Sequence, residues 1–314
     1  MSLGWTIAGI LSAVIMMMAS RTAITHATRV AQHLGIPRFY IGIALVAVGT
    51  DIPEIINSLI SSYLGHGDVN VGDSVGSVYT QATLVLGLYP LLAGMTIVIV
   101  PRRMLPVQAA TVVCLAIGIW LMRDGDVSRL DAGLLALGWL VGLSLVLLTS
   151  GEIAGDEQGV VIDGSALRSA LISLLALAVV GGAAVILVKS IVTLSAELGI
   201  PEYVISFFAA SIGTSLPELF VEYAALRRQE HAIALGDIYG SCLVDASLSV
   251  AAGPLLFPIA VSAPQAINGS LLAAAAIVIT SVFLALRPKL DRRTGAAILG
   301  LYLAGYFAAA VGSV

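Results

Sequence analysis

Two hexapeptides concentrate the chemistry of this chain: Gly-Thr-Asp-Ile-Pro-Glu at 49–54 and Gly-Thr-Ser-Leu-Pro-Glu at 213–218. Each lies near the middle of a long apolar stretch. Proline lacks an N–H, and its ring clashes with the carbonyl four residues back. In a continuous helix Pro53 would free the carbonyl of Gly49, and Pro217 that of Gly213. A free carbonyl is tolerated in hydrocarbon only where it is buried or lines a polar cavity, and it is a hard oxygen ligand. Glu54 falls one turn from Thr50, and Glu218 one turn from Thr214. Each segment is therefore expected to form a kink that offers a carboxylate, a hydroxyl and bare carbonyls to one small volume. A packing kink alone would not explain the glutamates. A carboxylate inside a membrane costs at least ~2.5–3.5 kcal/mol on insertion scales and marks function by default.

The stretch that follows each hexapeptide supplies a second polar wall. Asp73, Ser77 and Gln81 are spaced four apart and share one helix face; Asp237, Ser241 and Asp245 repeat the spacing. The centre is thus expected to collect Asp51, Glu54, Glu218, Asp245, Gln81, Thr50, Thr214, Ser77, Ser241 and Ser215, with Asp73 and Asp237 beside them. No histidine or thiolate falls at these positions. Such oxygens suit Ca²⁺, Mg²⁺, Mn²⁺ or Na⁺ rather than Zn²⁺ or Cu⁺, and Ca²⁺ accepts 6–8 of them in flexible geometry. Several carboxylates without a fixed base cannot stay ionised in hydrocarbon unless cations or protons neutralise them. The obligation to exchange one neutralising ion for another is the physical basis of antiport.

The elements that hold these residues are membrane helices. The 314 residues are 59% hydrophobic and 11% charged, and mean hydropathy is +1.02; ordinary soluble domains are about 25% charged. That composition excludes a soluble enzyme, a nucleic-acid binder and a disordered chain. Ten apolar stretches are expected to span, at roughly 3–32, 38–64, 70–91, 104–122, 131–149, 166–196, 202–226, 233–255, 266–286 and 294–312. The first, without a basic flank or a small-residue cleavage site, reads as a retained helix rather than a signal peptide. Cys114 and Cys242 read as small buried apolar residues, not a disulfide framework. With the N-terminus outside, one face receives Arg29, Arg38, Arg102, Arg103, Arg168, Arg227, Arg228, Arg287, Lys289, Arg292 and Arg293. The other receives only Arg123 and Arg129, 11 against 2. The positive-inside rule makes the first face cytoplasmic and puts both termini outside. Arg21 and Lys189, inside helices, are expected to snorkel. Glu222, one turn beyond Glu218, is a candidate for an inner access path. His26, His33, His66 and His231 lie near span ends and need no metal, and Tyr79 and Tyr239 read as packing residues.

The two halves repeat. At an offset of 164, residues 35–92 align without a gap onto 199–256, and 17 of 58 positions are identical. The matches include Gly49/Gly213, Thr50/Thr214, Pro53/Pro217, Glu54/Glu218, Gly72/Gly236, Asp73/Asp237, Gly76/Gly240 and Ser77/Ser241. An odd number of spans, five, separates each element from its mate, so mates cross in opposite directions, the plan of many secondary transporters. The expected architecture is an all-α polytopic membrane protein: residues 1–149 a first five-helix repeat, 150–165 a polar cytoplasmic linker, and 166–314 a second repeat of inverted topology.

GTDIPE…GDSVGS and GTSLPE…GDIYGS resemble the two alpha-repeats of the cation/Ca²⁺ antiporter superfamily, most closely its prokaryotic sodium/calcium exchangers. The resemblance covers nearly the whole chain and implies ten helices in two inverted halves. It implies that Glu54 and Glu218 hold Ca²⁺, and that Thr50, Thr214, Ser77, Ser241, Asp245 and backbone carbonyls near Ala47 and Ser211 complete Ca²⁺ and Na⁺ sites. It also implies that the first and sixth helices slide past a rigid core. Four positions depart from the pattern. Asp51 stands where the family usually has serine, Gln81 where it has asparagine or, in potassium-dependent members, aspartate, and Asp73 and Asp237 where it has asparagine. The expectation is a plasma-membrane exchanger of Ca²⁺ for Na⁺, working as a monomer, with no cofactor and no enzymatic activity. A proton-coupled or K⁺-dependent divalent-cation exchanger is the alternative. An intramembrane hydrolase using Gly-Asp pairs and a channel fit less well. Neither calls for acids mirrored in inverted repeats, and channel filters usually surround an axis along the membrane normal.

Overall fold

Long runs of Leu, Ile, Val and Ala form the helices, and the punctuation between them is glycine in the left-handed region. Gly65 (φ 80°) and Gly199 (φ 64°) cap the helices that end before them, a conformation glycine adopts at no steric cost. In the computed structural model the described residues are 2–33, 49–92, 98–99, 104–149, 165–216, 218–219, 223, 231–286 and 289–310. They form ten helices: α1 Ser2–His33, α2 Ile52–Leu64, α3 Gly67–Leu92, α4 Leu105–Leu121, α5 Arg129–Thr149, α6 Ala166–Leu198, α7 (202–214), α8 (231–252), α9 Ala263–Leu286 and α10 Arg292–Ala310. Of these, α1, α3, α4, α6 and α9 are long and apolar enough to cross a membrane. Their outward faces carry exposed Ile10, Leu171, Leu174, Leu175 and Leu286, side chains that need hydrocarbon around them.

Structural details recur at the offset seen in the sequence. The helix widens by one π turn at Gln81–Val85 in α3 and again at Asp245–Ser249 in α8. Short strands join the ends of the bundle: β1 (Val98–Ile99) pairs antiparallel with β4 (Lys289–Leu290), and β2 (Asp126–Val127) with β3 (Ile259–Ala260). Each pair takes one strand from each half, and β1 follows α3 as β3 follows α8.

Helices α1 and α6 lie along one another, joined by a hydrogen bond from Ser173 Oγ to the Ala23 carbonyl (3.1 Å). The centre of the rest is α3, buried along nearly its whole length between Gly67 and Thr80. Helices α2, α7 and α9 pack against it. Two glycines set the α3–α7 approach: a Cβ at Gly76 would stand 2.3 Å from the Phe207 carbonyl oxygen, and one at Gly72 2.7 Å from that of Tyr203. Tyr79, Tyr203, Phe207, Phe208 and Tyr302 fill the space beside this crossing. Tyr79 is a packing residue as expected, its hydroxyl donating to the Leu301 carbonyl (2.6 Å). Cys114 and Cys242 are buried and not joined in a disulfide.

One expectation is corrected. Pro53 does not kink a continuous helix: Thr50 and Asp51 form a turn, and α2 begins afresh at Ile52 with Pro53 in its first turn. A proline there loses nothing by lacking an N–H. The backbone is broken ahead of the proline rather than bent at it. Pro217, Ala47 and Glu222 lie outside the described residues.

Candidate functional site

The break at residues 50–51 drives polar side chains inward. Asp51 precedes α2 and Glu54 occupies its first turn, while Glu218 follows α7. All three are fully buried, and one carboxylate oxygen from each lies within 4.8 Å of the others. Two oxygens on opposite sides of one Ca²⁺, at 2.3–2.6 Å each, stand about 4.6–5.2 Å apart. None of the six oxygens has a hydrogen-bond partner among the described residues. The ion pair of His66 with Glu202, at 3.0 Å, lies at the bundle's edge and neutralises none of them. A buried trio of donor-free carboxylates is stable only with cations or protons in it.

Around this trio α3 and α8 supply the walls. Gln81 and Asp245, at matching positions in the two π turns, meet: Gln81 Nε2 donates to Asp245 Oδ2 at 3.1 Å. Ser249 Oγ donates to Asp245 Oδ1 at 3.0 Å, and Asp245 is within electrostatic range of Asp51, Glu54 and Asp73. The Thr50 and Ser241 hydroxyls are 3.4 Å apart. Ser77 and Ser215 are buried with hydroxyls that have no partner among the described residues. The Ser211 carbonyl accepts the Ser215 N–H at 3.1 Å, and its hydroxyl lies 3.1 Å from that of Thr80.

Asp73 and Asp237 share a register but not an environment. Asp73 accepts from Asn57 Nδ2 at 2.6 Å and from Thr214 Oγ1 at 3.0 Å, one donor on each oxygen. Asp237 has the Thr50 hydroxyl beside it, yet neither of its oxygens accepts a hydrogen bond of good geometry. The position matching Asn57 in the second half is Val221, which has no donor to give.

The sequence reading missed the polar face of α2 beyond Glu54. Asn57, Ser58, Ser61 and Ser62 are all buried. Ser58 Oγ accepts the Gly253 N–H at 2.9 Å, and Asn70 Nδ2 donates to the Val250 carbonyl at 3.2 Å. The signal was present, since 54, 57, 58 and 61 continue at helical spacing from the glutamate.

A family model for the sodium/calcium exchanger protein matches residues 4–148 and 168–310. The chain belongs to the sodium/calcium exchanger family. It is 29% identical over 279 residues to a membrane protein of Methanocaldococcus jannaschii, covering 88% of each chain. Its fold matches that of the sodium-calcium exchanger NCX_Mj soaked with Na⁺ and Sr²⁺, at 24% identity and a TM-score of 0.63, covering 100% of both chains. It also matches the H⁺/Ca²⁺ exchanger CAX, at 16% identity and a TM-score of 0.76, covering 96% of this chain and 82% of that one. The protein is therefore a membrane antiporter of a transporter family rather than an enzyme family.

Proposed function

We propose that this chain exchanges Ca²⁺ for Na⁺ across the plasma membrane by alternating access to the buried acid cluster. The observation that carries the reading is the trio Asp51, Glu54 and Glu218, whose oxygens converge without a donor. In this reading Glu54 and Glu218 hold Ca²⁺. Thr50, Thr214, Ser77, Ser241, Ser215, Gln81, Asp245 and the carbonyls of Ala47 and Ser211 complete sites for Ca²⁺ and for the Na⁺ that replaces it. Asp73 and Asp237 frame the site. Loaded with either ion the cluster is neutralised; empty, it would leave unpaired charge in hydrocarbon, so the loaded forms are the ones that reorient.

The architecture proposed is ten spans in two inverted five-helix repeats, 1–149 and 166–314, joined by a polar cytoplasmic linker at 150–165, with both termini outside. Three features support it: the same family model matches each half, the π turns recur at offset 164, and each strand pair takes one strand from each half. The α1–α6 pair, packed chiefly on itself, fits a sliding element that opens the site to one face and then the other.

Asp51 favours a second reading of the coupling ion. Its counterpart in the other half is Ser215, so the centre holds one carboxylate beyond the symmetric set, and H⁺ coupling would neutralise it. Asp51→Ser is expected to change ion selectivity or the charge moved per cycle; unchanged selectivity and electrogenicity would remove Asp51 from the coupling mechanism. The experiment for the whole reading is ⁴⁵Ca²⁺ uptake into proteoliposomes under an imposed Na⁺, K⁺ or pH gradient, one at a time. Uptake driven by Na⁺ supports the leading reading, uptake driven only by pH the second, and uptake driven by none defeats both.

A further inference from the structure

A buried hydroxyl on a membrane helix commonly donates to the carbonyl four residues earlier. Ser20 does so to Met16 at 2.7 Å, Thr111 to Val107 at 3.0 Å and Thr280 to Ala276 at 2.7 Å. In α7 itself Ser211 does so to Phe207 at 2.6 Å. Thr214 departs from its own helix. Its Oγ1 stands 3.2 Å from the Ala210 carbonyl and 3.4 Å from that of Ser211, but 3.0 Å from Asp73 Oδ1, across the α3–α7 crossing. A hydroxyl has one hydrogen and two lone pairs. The nearest of these acceptors, and the only carboxylate among them, takes the hydrogen, since bonds to an ionised acceptor are the stronger ones. Asp73 is itself held in place: Asn57 Nδ2 donates to its other oxygen at 2.6 Å. Gly72 and Gly76 bring α3 close enough to α7 for so short a side chain to reach. Asp73 is not among the acids whose oxygens converge, which are Asp51, Glu54 and Glu218. The Thr214 hydroxyl, however, lies beside Glu54, and neither Glu54 oxygen has a donor among the described residues. The chain Asn57–Asp73–Thr214 therefore joins α2, α3 and α7 and ends next to a bare carboxylate.

We propose that Asp73 is a positioning residue for the transported cation: it draws the Thr214 hydrogen to itself, so that the lone pairs of the hydroxyl oxygen beside Glu54 are left for the ion. The inference rests on the reading of Glu54 and Thr214 as ion ligands and deepens it. Without an acceptor at position 73 the hydrogen can turn to Glu54, where it would occupy the space a cation needs and satisfy an oxygen that should bind it. What the site requires at position 73 is an acceptor for Thr214. An asparagine oxygen meets that need, and an apolar side chain does not. Removing a group that orients a metal ligand typically weakens metal binding ~10–100-fold.

The test is calorimetric titration of the purified, detergent-solubilised protein with Ca²⁺ alone and then against increasing Na⁺, so that a loss of either ion is read. Melting temperature and monodispersity are the folding controls. Asp73→Asn, which keeps the acceptor, is expected to stay within about threefold of the wild type for both ions. Asp73→Leu, of similar size but without an acceptor, is expected to bind at least one of them about tenfold more weakly, on the scale set by removal of a ligand's orienting partner. Asp73→Ala serves the same comparison if the leucine variant does not fold. In a Thr214→Val background Asp73→Leu should add less than about a twofold loss, because the two residues act through one hydroxyl. A purely structural Asp73 would weaken binding as much in that background as in the wild type, and that result overturns the proposal. So does Asp73→Asn binding as weakly as Asp73→Leu, which would mean that the charge acts on the ion directly, and so does Asp73→Leu binding both ions like the wild type. Thr214→Val binding Ca²⁺ and Na⁺ as tightly as the wild type overturns the underlying reading of Thr214 as a ligand instead.

Discussion

The crossing of α3 and α7 depends on Gly76 having no side chain, and replacing it shows how closely site and packing are joined. In Gly76→Ala the new Cβ would stand 2.3 Å from the Phe207 carbonyl oxygen and 2.7 Å from its Cα. Both are backbone atoms and cannot swing aside. Ordinary contact begins at 3.4 Å, so the helices must part by about 1 Å. Overpacking of this kind costs ~1–3 kcal/mol. Parting also stretches the Thr214–Asp73 hydrogen bond from 3.0 Å to about 4 Å, beyond useful length. A hydrogen bond to a charged group contributes ~1.5–3 kcal/mol. Together the two losses should reach ~2 kcal/mol or more, close to a thirtyfold change in an equilibrium constant. Thermal melts in detergent should show a drop of several degrees, and Ca²⁺ titration an affinity at least tenfold weaker. Gly133→Ala is the control, since no described atom lies within 4 Å of its Cβ and a helical Gly→Ala should gain ~0.5–1 kcal/mol. If Gly76→Ala melts with the wild type and binds Ca²⁺ as tightly, the close α3–α7 crossing does not position the site.

Three further outcomes are expected. Asp73→Asn should be nearly neutral for stability, because Asn57 can turn its unpartnered Oδ1 toward the new amide, whereas Asn57→Leu should cost ~1.5–3 kcal/mol in chemical unfolding by stripping a donor from a buried carboxylate. Gln81→Leu removes a donor from Asp245 and should weaken ion binding about tenfold in titration calorimetry, with Gln81→Asn intermediate. Chelating Ca²⁺ in Na⁺-free buffer should lower the melting temperature, since Ca²⁺ at a hundred times its dissociation constant stabilises the folded state by about 2.7 kcal/mol; Glu54→Gln should shrink that difference.

Much of the helix order is legible in the sequence because apolar length and glycine caps are local properties. The spans expected at 70–91, 166–196 and 266–286 appear as Gly67–Leu92, Ala166–Leu198 and Ala263–Leu286. The convergence of Glu54 with Glu218 was expected from the matched hexapeptides, which set the same acid at the same repeat position in each half. Three features were not legible. The break at Thr50–Asp51 replaces the expected proline kink, because Pro53 is equally at home in a helix's first turn. The π turns at Gln81 and Asp245 have no composition signature; they show only as matched polar residues that end up bonded. Asp73 and Asp237 are identical residues at identical repeat positions, yet Asn57, on another helix, donates to Asp73, while the sequence has Val221 at the position matching Asn57.

The central claim is that Glu54 and Glu218 together hold the transported Ca²⁺. It is tested most directly by ⁴⁵Ca²⁺ uptake into proteoliposomes loaded with Na⁺, comparing wild type with Glu54→Gln and Glu218→Gln at matched reconstitution. Wild-type uptake that depends on the Na⁺ gradient and falls to the protein-free background in each variant is the result expected. Uptake in either variant at the wild-type rate would contradict the account.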